Sequence, residues 1–196
     1  MKKIYLMLVL VVAMCSWTSC VAQTEKESKV KWMSVNEAIN QGKKDGSKAK
    51  LIFIDCYTSW CGWCKVLDQK SFSNDTIAAI LNYYYYPCKF DAEGKEVIKI
   101  DGTTYNPSTK SGRASTHELM KIIWEGQRGG GYPSMSIRRG DFRPLDCIMG
   151  FLGPNELQPL LVYYAENYNK EMSLEKFTAQ YTDKYQQDVL RKIFSK

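Results

Sequence analysis

The sequence predicts an α/β fold, on three observations. Leu51-Ile52-Phe53-Ile54 is a continuous apolar run, the pattern of a strand buried on both faces. The run leads almost at once into Trp60-Cys61-Gly62-Trp63-Cys64-Lys65, after which Val66, Leu67 and Lys70 take up the spacing of a helix. Farther on, strand-like and helix-like segments keep alternating, the pattern of a sheet packed against helices. With 196 residues, 44% of them hydrophobic, the chain suffices for one good core plus accessory segments.

The elements are justified in order. Lys2 and Lys3, an apolar run from Ile4 to Met14 and a small-residue end at Cys20-Val21-Ala22 read as an export signal, 1–22, cleaved after Ala22. The run is shorter than the roughly 20 apolar residues that a bilayer requires. The alternative is a lipidated N-terminus at Cys20, although Trp17 stands where an aliphatic residue is expected. Residues 23–30 are polar, charged and aperiodic, a linker. Ser34 caps a short helix through Ile39, which Gly42 and Lys43-Lys44-Asp45-Gly46 end. After the cysteine pair, Asn74 or Asp75 caps a helix carrying Ile77, Ile80 and Leu81.

Tyr83 to Tyr86 lead into Cys88 and Phe90 as a strand whose tyrosines face a core in preference to forming a sugar or base platform. From Ala92 to Gly131 the chain is rich in Gly, Lys, Ser and Thr. It holds one helical island, with capping-box spacing at Ser115-Thr116-His117-Glu118 and an apolar face of Leu119, Ile122 and Ile123. His117, the one histidine, reads as a solvated first-turn residue. The island looks apolar enough to dock, its flanks too polar to pack, and Gly129-Gly130-Gly131 free to swing, so the segment reads as a lid partly covering the cysteine pair or, alternatively, as a passive surface insertion. Pro133 to Ile137 and Leu145 to Met149 are strands around Arg139-Gly140-Asp141, which is hairpin chemistry rather than an adhesion motif. Pro154 opens a helix through Tyr164, with Pro159 limiting its start. Ser173 caps one last helix, in which Leu174, Phe177, Tyr181, Tyr185 and Val189 form a stripe that packs on its own domain or, alternatively, on a partner.

The formal charge is +6, and removing Lys2 and Lys3 leaves +4, too mild to argue for nucleic acid. Of seven cysteines, Cys56, Cys61, Cys64, Cys88 and Cys147 lie outside the signal. An odd number cannot pair completely, so at least one thiol stays free in an oxidising compartment.

Two cysteines with two residues between them, where a buried strand turns into a helix, have a direct chemical use. Cys61 stands at the helix start, where unpaired backbone N–H groups and the positive end of the dipole stabilise a thiolate. Cys64, one turn on, is placed to resolve a mixed disulfide. A zinc site would need Cys56, Cys88 and Cys147 to converge on the pair, since there is one histidine and no second C-x-x-C. No metal and no cofactor are expected.

On these residues the chain resembles the thioredoxin superfamily, most closely exported bacterial thioredoxin-like proteins with a Trp-Cys-Gly-Trp-Cys-Lys centre. The resemblance runs from about Trp32 to Tyr168 and takes in Ser71-Phe72-Ser73-Asn74, Phe90-Asp91-Ala92-Glu93-Gly94 and Tyr132-Pro133. It implies a thioredoxin fold over 31–170: a central mixed sheet flanked by helices, with an insertion (92–131) before the cis-proline, and an extra C-terminal helix in 171–196. It further implies that Pro133 follows a cis peptide bond and that Asp55 is a buried carboxylate assisting proton transfer to Cys64. Trp60, Gly62, Trp63, Tyr132 and Pro133 would meet the substrate. In the family strand order Cys88 and Cys147 are separated by two strands, about 14 Å at about 4.8 Å per strand, too far for a disulfide. Both, with Cys56, are expected to be small apolar fillers.

The implied activity is thiol–disulfide exchange with disulfide- or thiol-containing protein substrates, outside the cytoplasm. Gly62-Trp63 lacks the histidine that strongly oxidising relatives place between the cysteines, so the couple should lie nearer about −270 mV than about −120 mV and act as a reductase. A separate electron-donor protein would then be needed. The rival is a redox-inactive binding or chaperone module on the same fold. The membrane is a partner only if Cys20 is lipidated.

Overall fold

The computed structural model describes residues 29–110 and 115–195, with the side chains of residues 183 and 184 outside the description. The expected signal (1–22), Cys20 and most of the expected linker therefore lie outside the described residues. Its last two residues, Lys29 and Val30, already belong to the folded unit. Val30 is buried, the Lys29 carbonyl accepts from Asn82 Nδ2 at 3.1 Å, and the Lys29 ammonium pairs with Asp75.

The central sheet is built from β1 (Leu51–Tyr57), β2 (Tyr85–Asp91), β5 (Ser134–Arg138) and β6 (Pro144–Met149) in the order β2-β1-β5-β6. β1 and β2 are parallel, while β5 is antiparallel to both β1 and β6. β1 is longer than the apolar run alone, because Asp55, Cys56 and Tyr57 continue the ladder against Lys89, Phe90 and Asp91. Helices α1 (Val35–Asp45), α2 (Gly62–Leu67), α3 (Asp75–Tyr84) and α5 (Pro154–Ala165) flank the sheet. This is the thioredoxin fold, as the resemblance implies. The Tyr132–Pro133 peptide bond is cis.

Alternation along each strand divides the core in two. Phe53, Tyr85, Met135 and Ile137 point to one face, where they meet Leu67, Phe72, Ile77, Leu81, Leu157 and Leu161. Ile52, Ile54, Cys56, Tyr86, Cys88 and Phe90 point to the other, against Val35, Ala38 and Ile39 of α1. The tyrosine run is thus split three ways: Tyr83 and Tyr84 finish α3, Tyr85 enters the first core and Tyr86 the second. The strand begins two residues later than expected, since α3, capped by the Asn74 side chain on Thr76 and Ile77, runs a full ten residues.

α1 also outruns its expected end. Ser34 and Glu37 form the capping box, but Gly42 sits inside the helix and is buried. A Cβ at Gly42 would overlap the Gly140 carbonyl, so the glycine is there for close approach to the β5–β6 hairpin and not to stop the helix.

The 92–131 segment departs most from its reading. It holds a hairpin of β3 (Ile98–Ile100) and β4 (Thr103–Tyr105), then α4 (Leu119–Ile123). Ile98, Leu119, Met120 and Ile123 are buried in the second core. The polar flanks pack after all: Asn36 of α1 donates to the Val97 carbonyl at 2.8 Å and accepts from Lys99 N–H at 3.2 Å. The expected Ser115–Glu118 capping box does not form, and Glu118 itself precedes the helix. His117 is not solvated. It is 1% exposed, its Nδ1 accepts from Leu119 N–H at 3.0 Å, and Nε2 lies 2.8 Å from the Glu96 carbonyl, which assigns the proton to Nε2.

At the C-terminus there are two helices where one was expected, α6 (Leu174–Gln180) and α7 (Asp183–Phe194), because extended backbone at Tyr181 and Thr182 breaks the run. The aromatic stripe packs on its own domain. Phe177 and Val189 are buried in the first core, and Tyr163, Tyr168, Tyr181 and Tyr185 surround Phe177 at ring separations of 4.6 to 6.1 Å.

Candidate functional site

The site grows from the end of β1. Cys56 pairs with Ser134, so Pro133 and Tyr132 lie level with the point where the chain leaves the sheet toward the motif. A turn closed by Cys61 N–H on the Thr58 carbonyl (3.1 Å) then delivers Cys61 as the cap of α2. Cys61 and Cys64 are joined by a disulfide with Cα atoms 5.3 Å apart. The Cys61 sulfur accepts the Cys64 N–H at 3.1 Å, so one of the unpaired amides of the helix start is aimed at the sulfur that would carry negative charge on reduction.

In the disulfide Cys61 is 4% exposed and Cys64 3%, so exposure does not distinguish them; the helix-cap position does. The two indoles flank the pair and remain open to solvent, Trp60 at 45% and Trp63 at 62%. Trp60 packs edge-on to Tyr132 at 5.9 Å and donates to the Glu93 carboxylate at 3.0 Å, while Trp63 leans on Phe151 at 5.9 Å. Gly62 opens α2 and is exposed.

Beneath the motif lies an ionic group that only partly emerges from the sequence. Asp55 is fully buried on the first face of the sheet, and its register partner on β2 is Lys89, whose Nζ lies 2.7 Å from Oδ2. The same ammonium pairs with Asp68, in the π-helical turn Asp68–Phe72 that continues α2. It also lies 5.2 Å from each of the ring centres of Trp32, Tyr57 and Phe72. Burial pushes the Asp55 carboxyl up to about 6, against the pull of Lys89. Burial alone would lower Lys89, but the two carboxylates outweigh it and hold the ammonium above its ordinary value. The arrangement supplies a carboxyl that changes protonation near neutrality, with a fixed counter-charge.

The Thioredox_DsbH family model, described as "Protein of unknown function, DUF255", matches residues 13–113, just over half of the chain. The chain belongs to this family. The matched stretch contains Asp55, Cys61, Cys64, Asp68 and Lys89 and ends before Pro133. No curated protein matches. Among solved structures, one named DsbH Oxidoreductase aligns at 15% identity over 72% of this chain and 88% of its own, with a TM-score of 0.46. A solution structure of a thioredoxin from Thermus thermophilus aligns at 9% identity over 71% and 87%, TM-score 0.43. A thioredoxin-fold protein from Helicobacter pylori aligns at 8% over 71% and 86%, TM-score 0.47. Likeness this distant carries no argument about activity; the strand order carries the fold.

In this Thioredox_DsbH chain the spare cysteines take no part in the Cys61–Cys64 disulfide. Cys88 and Cys147 lie on β2 and β6 with β1 and β5 between them, and both are free, as is Cys56. Burial raises Cys56 and Cys88 well above the ordinary thiol range. Cys147 is raised by the same cause but is only half-buried, so it is not the closed-in filler that Cys56 and Cys88 are. The residues missed at the sequence level are Lys89, Asp68 and Phe151. Lys89 carried a signal, since a lysine between Cys88 and Phe90 in a core strand has to find a counter-charge. The others carried none, because their relevance depends on which loops meet.

Proposed function

We propose that this chain is a thiol–disulfide oxidoreductase acting outside the cytoplasm as a reductase of protein disulfides. The observation that supports the reading best is the Cys61–Cys64 disulfide at the start of α2, with a backbone N–H on the Cys61 sulfur. In the dithiol state the Cys61 thiolate attacks a substrate disulfide, forming a mixed disulfide and releasing one substrate thiolate. Asp55 takes the Cys64 proton, and the Cys64 thiolate attacks the Cys61 sulfur. The second substrate sulfur leaves and is protonated, and Cys61–Cys64 is left oxidised. Two electrons pass to the substrate, and a separate donor protein returns them. Trp60, Gly62, Trp63, Tyr132 and Pro133 border the path along which the substrate strand would lie.

The reducing direction rests on Gly62-Trp63, which places no histidine between the cysteines to stabilise the thiolate further. The extracytoplasmic setting rests on the export reading of 1–22. Among the described residues no helix is long and apolar enough to cross a membrane. Insulin reduction with a thiol donor is the test: wild type is expected to precipitate insulin chains far faster than Cys61→Ser. Equal rates would remove the enzyme reading and leave a binding module.

A further inference from the structure

We propose that Trp124 is a positioning residue for peptide substrates, and that the insertion acts through it as a fixed buttress of the Gly129–Pro133 loop rather than as a lid. The inference rests on the dithiol reading above and adds a specificity determinant to it.

The argument starts from what holds α4. Leu119 and Met120 are fully buried and Ile123 nearly so, and the Ile122 carbonyl accepts from the buried Arg138 guanidinium at 2.6 Å. Arg138 also donates to the Phe142 carbonyl and to Ser136 Oγ, so the end of α4 is tied to both β5 and the β5–β6 hairpin. Trp124 is the next residue, its N–H bonded to the Met120 carbonyl at 2.9 Å. The indole therefore leaves a helix that has little freedom to move.

From there it grips the loop in three ways. Nε1 donates to Ser134 Oγ at 2.8 Å, and that hydroxyl in turn donates to the Gly131 carbonyl. The six-membered ring lies so close over Gly130 that a Cβ there would overlap it. Its ring centre is also 5.4 Å from that of Tyr132, which packs on Trp60, the neighbour of Cys61. The glycine run thus makes room for an aromatic ring at one of its positions, and the loop beside the disulfide inherits the rigidity of the core. Disulfide exchange with a small, compact disulfide needs only the two sulfurs. A peptide lying along Tyr132 and Pro133 needs the loop as well, and a displacement of about 1 Å in such a surface costs productive orientation.

The experiment compares Trp124→Phe, Ser134→Ala, Gly130→Ala and Gly131→Ala with wild type. Each is assayed on a disulfide-bonded peptide of about ten residues and on a small aromatic disulfide, with the Cys61–Cys64 potential and thermal unfolding followed in parallel. Trp124→Phe keeps a ring and removes the N–H donor; it should raise KM for the peptide about three- to tenfold, the range of one hydrogen bond. Its kcat, its rate on the small disulfide and its potential should stay within about twofold or unshifted. Ser134→Ala should move KM in the same direction without touching the indole. Gly130→Ala should act at least as strongly as Trp124→Phe, whereas Gly131→Ala, where a Cβ meets nothing within 4 Å, should resemble wild type. Equal effects of the two glycine variants would mean that loop freedom matters and would overturn the buttress. So would a Trp124→Phe protein with unchanged peptide KM, or one slowed equally on both substrates. A wild type that reduces neither substrate would instead remove the functional reading, and this inference with it.

Discussion

The two faces of the central sheet do different chemistry with neighbouring residues. On β1, Asp55 points to the first face and Cys56 to the second; on β2, Lys89 and Cys88 do the same, and the register pairs Asp55 with Lys89 and Ile54 with Cys88. The first face encloses an ion pair under the motif, framed by Trp32, Tyr57 and Phe72 and closed by α2, α3 and α5. The second holds thiols that burial keeps protonated, and is closed by α1 and the insertion. A one-residue slip between β1 and β2 would oppose a carboxylate to a thiol and strand the lysine. Separating a titrating carboxyl from the thiols needs no more than the two-residue period of a strand, provided that the register holds.

The largest effects should test whether both faces are true core. Phe53→Ala on the first face should cost about 3–5 kcal/mol, and Leu119→Ala in the insertion about 2–5 kcal/mol, by urea unfolding. A Leu119→Ala cost below about 0.5 kcal/mol would return the insertion to a surface appendage and break the symmetry between the faces.

Next comes the ionic group. Asp55 binds its proton more tightly folded, at about 6, than unfolded, at the ordinary 3.8, so wild-type stability should fall as pH rises between about 4 and 6 and level off above. The full difference is worth about 3 kcal/mol at neutral pH. Asp55→Asn should recover roughly 2 kcal/mol of it at pH 7, less than the whole because Lys89 loses a partner, and almost none at pH 4. Stability of the variant equal to wild type across that range would mean that the carboxyl is not raised. If Asp55 serves Cys64, the same variant should slow insulin reduction most near pH 6 to 7.

The smallest effects separate the thiols of the second face. Cys88→Ser puts a hydroxyl into a fully buried site where the nearest carbonyl acceptors, Ser34 and Tyr86, stand 3.7 and 3.6 Å from the sulfur, and should cost about 1–3 kcal/mol, whereas Cys147→Ser at a half-buried position should stay within about 0.5 kcal/mol. Under native conditions with the disulfide intact, Cys147 should be the thiol that iodoacetamide labels, with Cys56 and Cys88 reacting only on unfolding. Labelling of Cys88 at the rate of Cys147 would show that this face opens.

The parts of the molecule that local rules govern could be read from the sequence. Ser34 announces the first cap and Asn74 or Asp75 the third helix, Leu51 to Ile54 announce a strand covered on both faces, and the cysteine spacing announces a disulfide at a helix start. Those signals act over three or four residues, where backbone hydrogen bonding and side-chain period leave few options. Where the sequence misled, the deciding partner lay far along the chain. Gly42 reads as a stop until Gly140 is seen against it. His117 and the polar flanks of the insertion read as solvated until Glu96 and Asn36 supply their hydrogen bonds. Lys89 carries its meaning only beside Asp55, Asp68 and three aromatic rings drawn from three separate segments. Burial of a polar group is set by which distant groups arrive to pay its desolvation, and that is a property of the packed chain alone.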